Sequence, residues 1–84
     1  KIAYTKHAIR KFRELENLGV KISRKIVNDT IRNPEHLDNE SDYPKIIASR
    51  QFDVGHIIRV VFKREGGKIT VITFYPARKG RYYE

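Results

Sequence analysis

The first half of the chain has apolar residues at helical spacing. Between Lys6 and Leu18 they fall three or four positions apart, at Ala8, Ile9, Phe12, Leu15 and Leu18. This spacing places them on one face of a helix. Thr5 suits the N-cap position and Gly19 suits the C-terminal stop. The pattern therefore predicts a first helix that begins at Lys6.

A second helix is predicted from Arg24 to Arg32, with Ser23 as its N-cap. Its apolar positions are Ile26, Val27 and Ile31. The helix ends at Asn33-Pro34, because a residue before proline disfavours helical geometry. The short connection over residues 19–22 predicts that the two helices form an αα-hairpin.

The second half of the chain has the composition of β-strands. Residues 46–52, 57–64 and 68–75 are rich in Ile, Val and Phe, with a turn at residues 53–56 and a strong hairpin signal at Gly66-Gly67. Pro76 is expected to end the last strand, and residues 2–4 could add a short edge strand. We therefore expect an α+β fold, with the αα-hairpin on one face of a three- to four-stranded, mainly antiparallel sheet.

Hairpin parity assigns the two faces of this sheet. With a two-residue loop at Gly66-Gly67, Phe62 pairs with Val71 and Val60 pairs with Thr73; a three-residue loop would slip the register. The face expected to hold the helices carries Ile58, Val60, Phe62, Ile69, Val71, Thr73 and Tyr75. The opposite face, which mixes cations with an aromatic residue and could meet a ligand, carries Arg59, Val61, Lys63, Thr70, Ile72 and Phe74.

An acidic connector joins the two halves. It contains Glu35, Asp38, Glu40 and Asp42, and is expected to be a solvated loop or a segment that lies against the basic half as a pseudo-substrate. His36 here and His56 in the later turn are both expected in loops, without neighbours that suggest a role. The length favours a single domain over residues 1–84, with a helical half at 5–33, the connector at 34–45, the sheet at 46–76 and a basic tail at 77–84.

The net charge of the chain indicates a polyanionic partner. Eighteen Lys and Arg against ten Asp and Glu give +8 over 84 residues. The excess lies in residues 45–84, which hold nine basic and three acidic residues, against nine and seven in residues 1–44. A basic half raises the local concentration of nucleic acid. Attraction to a membrane surface, or simple solubility, is the alternative explanation.

Several chemistries are not expected. The chain has no Cys, which excludes disulfides, thiolate metal sites and Cys nucleophiles. Its three histidines are dispersed without metal-ligand spacing, so neither a metal nor a cofactor is expected. No apolar run approaches the about 20 residues of a membrane span, and residues 1–4 show no signal-peptide pattern. We therefore expect a cytoplasmic protein without a membrane partner.

Arg59 is the first candidate for a functional side chain. It interrupts the apolar run over residues 57–62, where a charge is costly unless it is paired or reaches an open face. One explanation is an ion pair with Asp53 or Glu14. The other is phosphate binding, because the planar guanidinium matches an oxyanion.

The C-terminal residues form the densest group of candidates. Residues 75–83 contain three cations and three tyrosines, a composition typical of single-stranded RNA binding, in which cations hold phosphates and rings stack on bases. A flexible tail whose tyrosines pack on the helices is the alternative. The expected RNA contacts are Arg10, Lys63, Tyr75, Arg78 and Lys79. His7, at the start of the first helix, either transfers protons or is a surface or capping residue.

The order of these motifs resembles a known class of proteins. The elements are residues 5–8 (Thr-Lys-His-Ala), 22–23 (Ile-Ser), 33–34 (Asn-Pro), 58–61 (Ile-Arg-Val-Val), 71–76 (Val-Ile-Thr-Phe-Tyr-Pro) and 81–82 (Arg-Tyr). Over nearly its whole length the chain resembles small domains related to the RelE- and BrnT-type toxins of prokaryotic toxin–antitoxin systems.

The resemblance implies a metal-independent endoribonuclease that a protein antitoxin neutralises. In such enzymes the ribose 2′-hydroxyl attacks the adjacent phosphate, so the site needs proton transfer and charge stabilisation. Arg59 would hold the scissile phosphate, Arg81 and Tyr82 match the terminal Arg-Tyr element, and His7 would be a general acid or base. No second acid–base group stands out besides Tyr75 or Tyr82. A non-catalytic RNA- or DNA-binding module, a protein-interaction module and an autoinhibited toxin are the rival interpretations, and an exposed edge strand leaves a homodimer open.

Overall fold

The structure, a computed structural model, describes residues 1–82, with side chains described for residues 1–80. Its elements are β1 (Ile2–Tyr4), α1 (Lys6–Asn17), α2 (Arg24–Arg32), β2 (His36–Asp38), β3 (Ile46–Asp53), β4 (His56–Glu65), β5 (Lys68–Arg78) and α3 (Lys79–Tyr82). In this part of the chain, no helix combines the length and the apolar character needed to cross a membrane.

Both long helices begin at their predicted caps. The Thr5 hydroxyl accepts a hydrogen bond from the Ala8 N–H at 3.1 Å, and the Ser23 hydroxyl accepts one from the Ile26 N–H at 3.2 Å. Each bond satisfies an N–H in the first turn that has no partner within the helix. After α1, Gly19 adopts φ +84°, the left-handed conformation that glycine adopts without steric penalty.

The sheet has five strands, where three to four were predicted, in the order β1-β5-β4-β3-β2. The pairs β2–β3, β3–β4 and β4–β5 are antiparallel, and β1 pairs in parallel with β5. The predicted edge strand at residues 2–4 is confirmed. The prediction of a loop throughout the acidic connector is wrong at His36–Asp38, which pairs with residues 47–49 of β3. Backbone pairing creates this strand, and three residues are too few to show a β pattern.

Both long helices pack on the same face of the sheet, so the fold is α+β as predicted. α1 packs over β5, whereas α2 packs over β3 and β4. The Tyr4 hydroxyl donates to Asn28 Oδ1 at 2.6 Å, which links β1 to α2. The core between the helices and the sheet consists of Ala8, Leu15, Ile22, Val27, Ile31, Ala48, Ile58, Val60, Phe62, Val71 and Phe74.

A β-bulge in β5 changes the predicted faces. The two-residue turn at Gly66-Gly67 is confirmed, since Glu65 pairs with Lys68, and Phe62 pairs with Val71. Val61, however, pairs with Thr73, so Ile72 is an extra residue on β5. Beyond this point the register moves by one: Val60 pairs with Phe74, not Thr73. Phe74 therefore lies in the core, while Thr73 and Tyr75 lie on the opposite face.

The last strand also continues past Pro76, contrary to prediction. β5 ends at Arg78, and Pro76 pairs with Ile58 of β4. The parallel partner β1 reaches only Val71, so β5 is an edge strand where Pro76 occurs. A proline is tolerated there because its missing N–H removes no bond to a second neighbour.

Candidate nucleic-acid interface

The sheet face opposite the helices, called the outer face here, carries a row of polar side chains. His36 pairs with Ser49, Ser49 with Arg59, and Arg59 with Tyr75. These four residues, one each from β2, β3, β4 and β5, form the His36–Tyr75 row. Side chains of directly paired residues point to the same side of a sheet, so the row places an imidazole, a hydroxyl, a guanidinium and a phenol in line.

Arg59 is held at both ends of its guanidinium. Its Nε–H donates to the Tyr75 hydroxyl at 3.1 Å, and Nη1 lies 3.4 Å from the Ser49 hydroxyl. The guanidinium carbon is 5.9 Å from the centre of the Tyr75 ring. Arg59 and Tyr75 are both half-buried. These contacts fix the planar group in one orientation on the outer face.

The two acids considered as ion-pair partners of Arg59 lie elsewhere. Asp53 Oδ1 accepts hydrogen bonds from the Gly55 N–H at 3.0 Å and from His56 Nδ1 at 2.9 Å, both at the β3–β4 turn. The bond from His56 is the main cause of the lowered pKa of Asp53. Glu14 lines a shallow cleft on the exposed side of α1, on the other side of the sheet. Neither acid explains the position of Arg59.

A second row lies beside the first on the outer face. Asp38 pairs with Ile47, Ile47 with Val61, and Val61 with Thr73. At the β5 edge, His7 Nε2 lies 3.1 Å from the Thr73 hydroxyl. His7 thus borders the outer face without entering the His36–Tyr75 row.

Asp38 is the acidic group of this second row. Its carboxylate accepts hydrogen bonds from the Ser41 hydroxyl and from the N–H groups of Glu40 and Ser41, the latter two at 3.0 Å. These bonds lower the pKa of Asp38 to about 2. The bond from the Ser41 hydroxyl has the largest effect, the two backbone bonds come next, and the charge of Arg59 adds a smaller effect. The connector therefore brings a fixed negative charge next to the basic row.

Two of the predicted RNA contacts lie around this surface. Lys63 lies on the outer face of β4, paired with Thr70. Arg10 follows His7 by one turn of α1 and lines the exposed cleft with Ile9 and Arg13. Lys63 therefore extends the basic surface along β4, whereas Arg10 lies with Glu14 in the cleft on the helix side of the sheet.

Arg78 and Lys79 are at the far end of β5 from His7. Arg78 pairs with His56, and the Lys79 N–H donates to the Gly55 carbonyl at 2.9 Å. Arg78 lies three positions after Tyr75, which is about 10 Å along a strand. These two cations form a separate group near the β3–β4 turn. The predicted residues Arg81 and Tyr82 have side chains outside the described residues.

His36 is the residue that the sequence prediction missed. It was expected in a loop, but it lies on β2 and belongs to the row of Arg59. His56 is likewise in a strand, and its Nδ1 bonds Asp53. The available signal for His36 was weak: a lone histidine beside Asp38 in a short segment between prolines. Only the pairing of β2 with β3 brings it toward Arg59.

The row has the groups needed for phosphate chemistry. Arg59 can hold an oxyanion, while imidazole and phenol groups can exchange protons. Among residues 1–80, no group of three His, Asp or Glu side chains is arranged to hold a metal ion. Comparisons with protein-family models, curated proteins and solved structures found no match to this chain.

Proposed function

We propose that this protein binds single-stranded RNA across its outer face and cleaves it as a metal-independent endoribonuclease of the RelE/BrnT-like toxin class. One observation carries the proposal: Arg59 is fixed by Tyr75 and Ser49 on the sheet face opposite α1 and α2. A charged group held in this way in the middle of a sheet suits recognition of a phosphate. The net charge of +8 favours a polyanion as the ligand.

Arg59 would bind the scissile phosphate. Its planar fork can donate two parallel hydrogen bonds to phosphate oxygens, and its charge would stabilise the phosphorane formed when the 2′-hydroxyl attacks. Tyr75 and Ser49 limit the rotation of the guanidinium, so less conformational entropy is lost on binding.

The neighbouring residues give the RNA a path across the sheet. His7 and Arg10 would contact the nucleotides beyond the β5 edge, and Lys63 would contact a phosphate farther along β4 from Arg59. Arg78, Lys79, Arg81 and Tyr82 would hold the strand at the other end of β5. Most of these contacts are to the backbone, so we expect binding with little sequence preference.

The class also implies a cytoplasmic protein and an antitoxin as protein partner. Helices on one face of a mainly antiparallel sheet are compatible with the RelE-like fold that the sequence resembles. The same basic outer face would attract an acidic segment of such a partner. This proposal does not require a homodimer through an edge strand.

The test is an RNA cleavage assay in EDTA. Purified protein is incubated with a fluorescent mixed-sequence RNA, alongside Arg59→Ala. We expect cleavage by the unchanged protein and loss of cleavage in the variant. Binding of RNA without cleavage under any condition would contradict the enzyme and leave a non-catalytic nucleic-acid-binding module. Absence of both would contradict the proposal entirely.

A further inference from the structure

His36 occupies a position that suits a catalytic base. It is exposed and in the same cross-strand row as Arg59, with Ser49 between them. Ser49 has the smallest side chain of the row, and it is only 2% exposed. Neighbouring groups therefore cover Ser49, among them the Arg59 guanidinium, whose Nη1 lies 3.4 Å from the Ser49 hydroxyl. A phosphate bound to Arg59 would have His36 on its β2 side.

Tyr75 lies on the other side of Arg59. Adjacent strands are about 4.8 Å apart, so the Cα atoms of His36 and Tyr75 are about 14 Å apart with Arg59 between them. The Tyr75 hydroxyl accepts the Nε–H of Arg59. A phenol that accepts this bond keeps its own O–H as a donor, and that proton can be given to a group beside Arg59.

We propose that His36 is the general base and Tyr75 the general acid of the RNA cleavage reaction, an inference that rests on the proposed function. His36 removes the proton of the 2′-hydroxyl as the bond from O2′ to phosphorus forms. The bond from phosphorus to O5′ breaks, and Tyr75 protonates the leaving O5′. The products are a 2′,3′-cyclic phosphate and a 5′-hydroxyl. Water then takes the proton from His36 and returns one to Tyr75.

This assignment gives His7 a different role. His7 lies beyond the β5 edge, and its Nε2 contacts Thr73 in the second row. Tyr75 therefore lies closer to the Arg59 guanidinium than His7 does, through a direct hydrogen bond. His7 would bind the neighbouring nucleotide, while proton transfer takes place within the His36–Tyr75 row.

Several polar and charged groups face His36, and those that titrate would contribute to the pH profile of cleavage. Asp38 follows it on the same side of β2, β3 presents Ser49, β4 presents Arg59, and β5 presents Tyr75. Glu35 precedes His36, with its Oε1 accepting the Gln51 N–H at 3.0 Å. The pKa of Asp38 is lowered to about 2, so this carboxylate stays ionised in any assay near neutral pH. It therefore adds no titration step to the pH profile of cleavage in that range.

Two substrates distinguish the base from the acid. The first is an oligoribonucleotide with a single scissile ribonucleotide. The second is a uridine 3′-aryl phosphate, whose phenolate leaves without a proton. His36→Gln should lower kcat on both substrates, by about 10²–10⁴-fold for a lost general base, and should remove the fall of kcat/KM at acidic pH. Tyr75→Phe should slow the oligonucleotide and leave the aryl phosphate nearly unaffected.

Binding and folding controls complete the test. A 2′-deoxy oligonucleotide, which cannot be cleaved, should bind His36→Gln about as well as the unchanged protein. His7→Gln should weaken its binding and keep the acidic fall of the pH profile. His56→Gln is the matched control, a histidine at the β3–β4 turn, and should behave like the unchanged protein. Circular dichroism confirms that each variant is folded.

The failures of the two proposals are distinguishable. Cleavage by the unchanged protein together with full activity in His36→Gln overturns the role of His36 and leaves the ribonuclease standing. Recovery of His36→Gln activity on the aryl phosphate would also overturn it, because it would make His36 the acid. If the unchanged protein binds RNA but cleaves neither substrate, the proposed function itself has failed.

Discussion

Arg59 and Tyr75 are directly paired across β4 and β5, and the arginine Nε–H donates to the tyrosine hydroxyl at 3.1 Å. The pair lies on the sheet face opposite α1 and α2. Its geometry depends on one extra residue, Ile72, since without the bulge Tyr75 would face the core.

Replacement of Arg59 by lysine tests the need for a planar donor. Arg59→Lys keeps the charge but loses the fork and the Nε–H donor to Tyr75. We expect cleavage to fall by about 10²–10³-fold, the usual effect of losing one donor to a developing oxyanion, with a small change in thermal stability. Single-turnover rates and thermal unfolding check both. If Arg59→Lys and Arg59→Ala unfold the protein, Arg59 is structural.

The salt dependence of RNA binding tests the basic surface. Each phosphate contact on single-stranded nucleic acid contributes a slope of about 0.7 in a plot of log affinity against log salt. Lys63→Ala should reduce the slope by about that amount, since Lys63 lies on the outer face. Fluorescence anisotropy at several salt concentrations measures it.

Lys25→Ala is the matched control for this experiment. Lys25 is a lysine on α2, on the helix side of the sheet, with its Nζ 2.7 Å from Asp29. Its removal should leave the salt slope unchanged. Equal effects of the two substitutions would argue that RNA responds to total charge and not to the outer face.

The bulge in β5 makes a prediction about stability. Phe74 is fully buried, so Phe74→Ala should lower the free energy of unfolding by about 3–5 kcal/mol. Ile72→Ala, on the outer face and half-buried, should lower it much less. Urea denaturation of both variants measures the difference. The opposite ranking would support the unbulged register.

The N-cap of α2 can be tested separately. Ser23→Ala removes the acceptor of the Ile26 N–H and should lower the free energy of unfolding by about 1 kcal/mol. Ser23→Gly should have an effect of only about a few tenths of a kcal/mol. Urea midpoints would show this order, and an alanine variant as stable as the unchanged protein would argue that the cap contributes nothing.

The lowered pKa of Asp38 predicts that the free energy of unfolding falls at acidic pH. Its folded pKa, about 2, is below the ordinary value of 3.8. A lowered pKa means that the ionised carboxylate stabilises the fold above pH 3.8 and that this contribution is lost as pH falls through about 2. Carbon-13 NMR titration should find the low pKa in the unchanged protein. Ser41→Ala should raise it toward the ordinary value, and no change would contradict the role assigned to Ser41.

The sequence predicted most of the helices and strands because their signals are local. Thr5 and Ser23 mark helix starts through their own hydroxyls, and Gly66-Gly67 fixes a two-residue turn. The bulge at Ile72 and the continuation past Pro76 could not be predicted, because both depend on which strand lies beside β5. A local pattern contains no information about that neighbour.

The candidate site was predicted only in part for the same reason. Arg59 is conspicuous in the sequence because a charge interrupts an apolar run. The register of the sheet brings His36 and Tyr75 into the same row as Arg59. His36 depends on the pairing of β2 with β3, and Tyr75 depends on the bulge in β5. Their proximity follows from cross-strand pairing between segments that are distant in the chain, which composition and spacing do not reveal.

The parallel pairing of β1 with β5 has a consequence for protein synthesis. Ile2 pairs with Ile69, and the Thr5 N–H donates to the Val71 carbonyl at 3.0 Å. α1, which follows directly, packs over β5, the last strand in chain order. A ribosome releases α1 long before β5, and the apolar side of α1 stays in water for that interval. Such exposed surfaces are targets for chaperones. Nascent chains stalled before Lys68 should therefore be bound by chaperones and degraded by added protease.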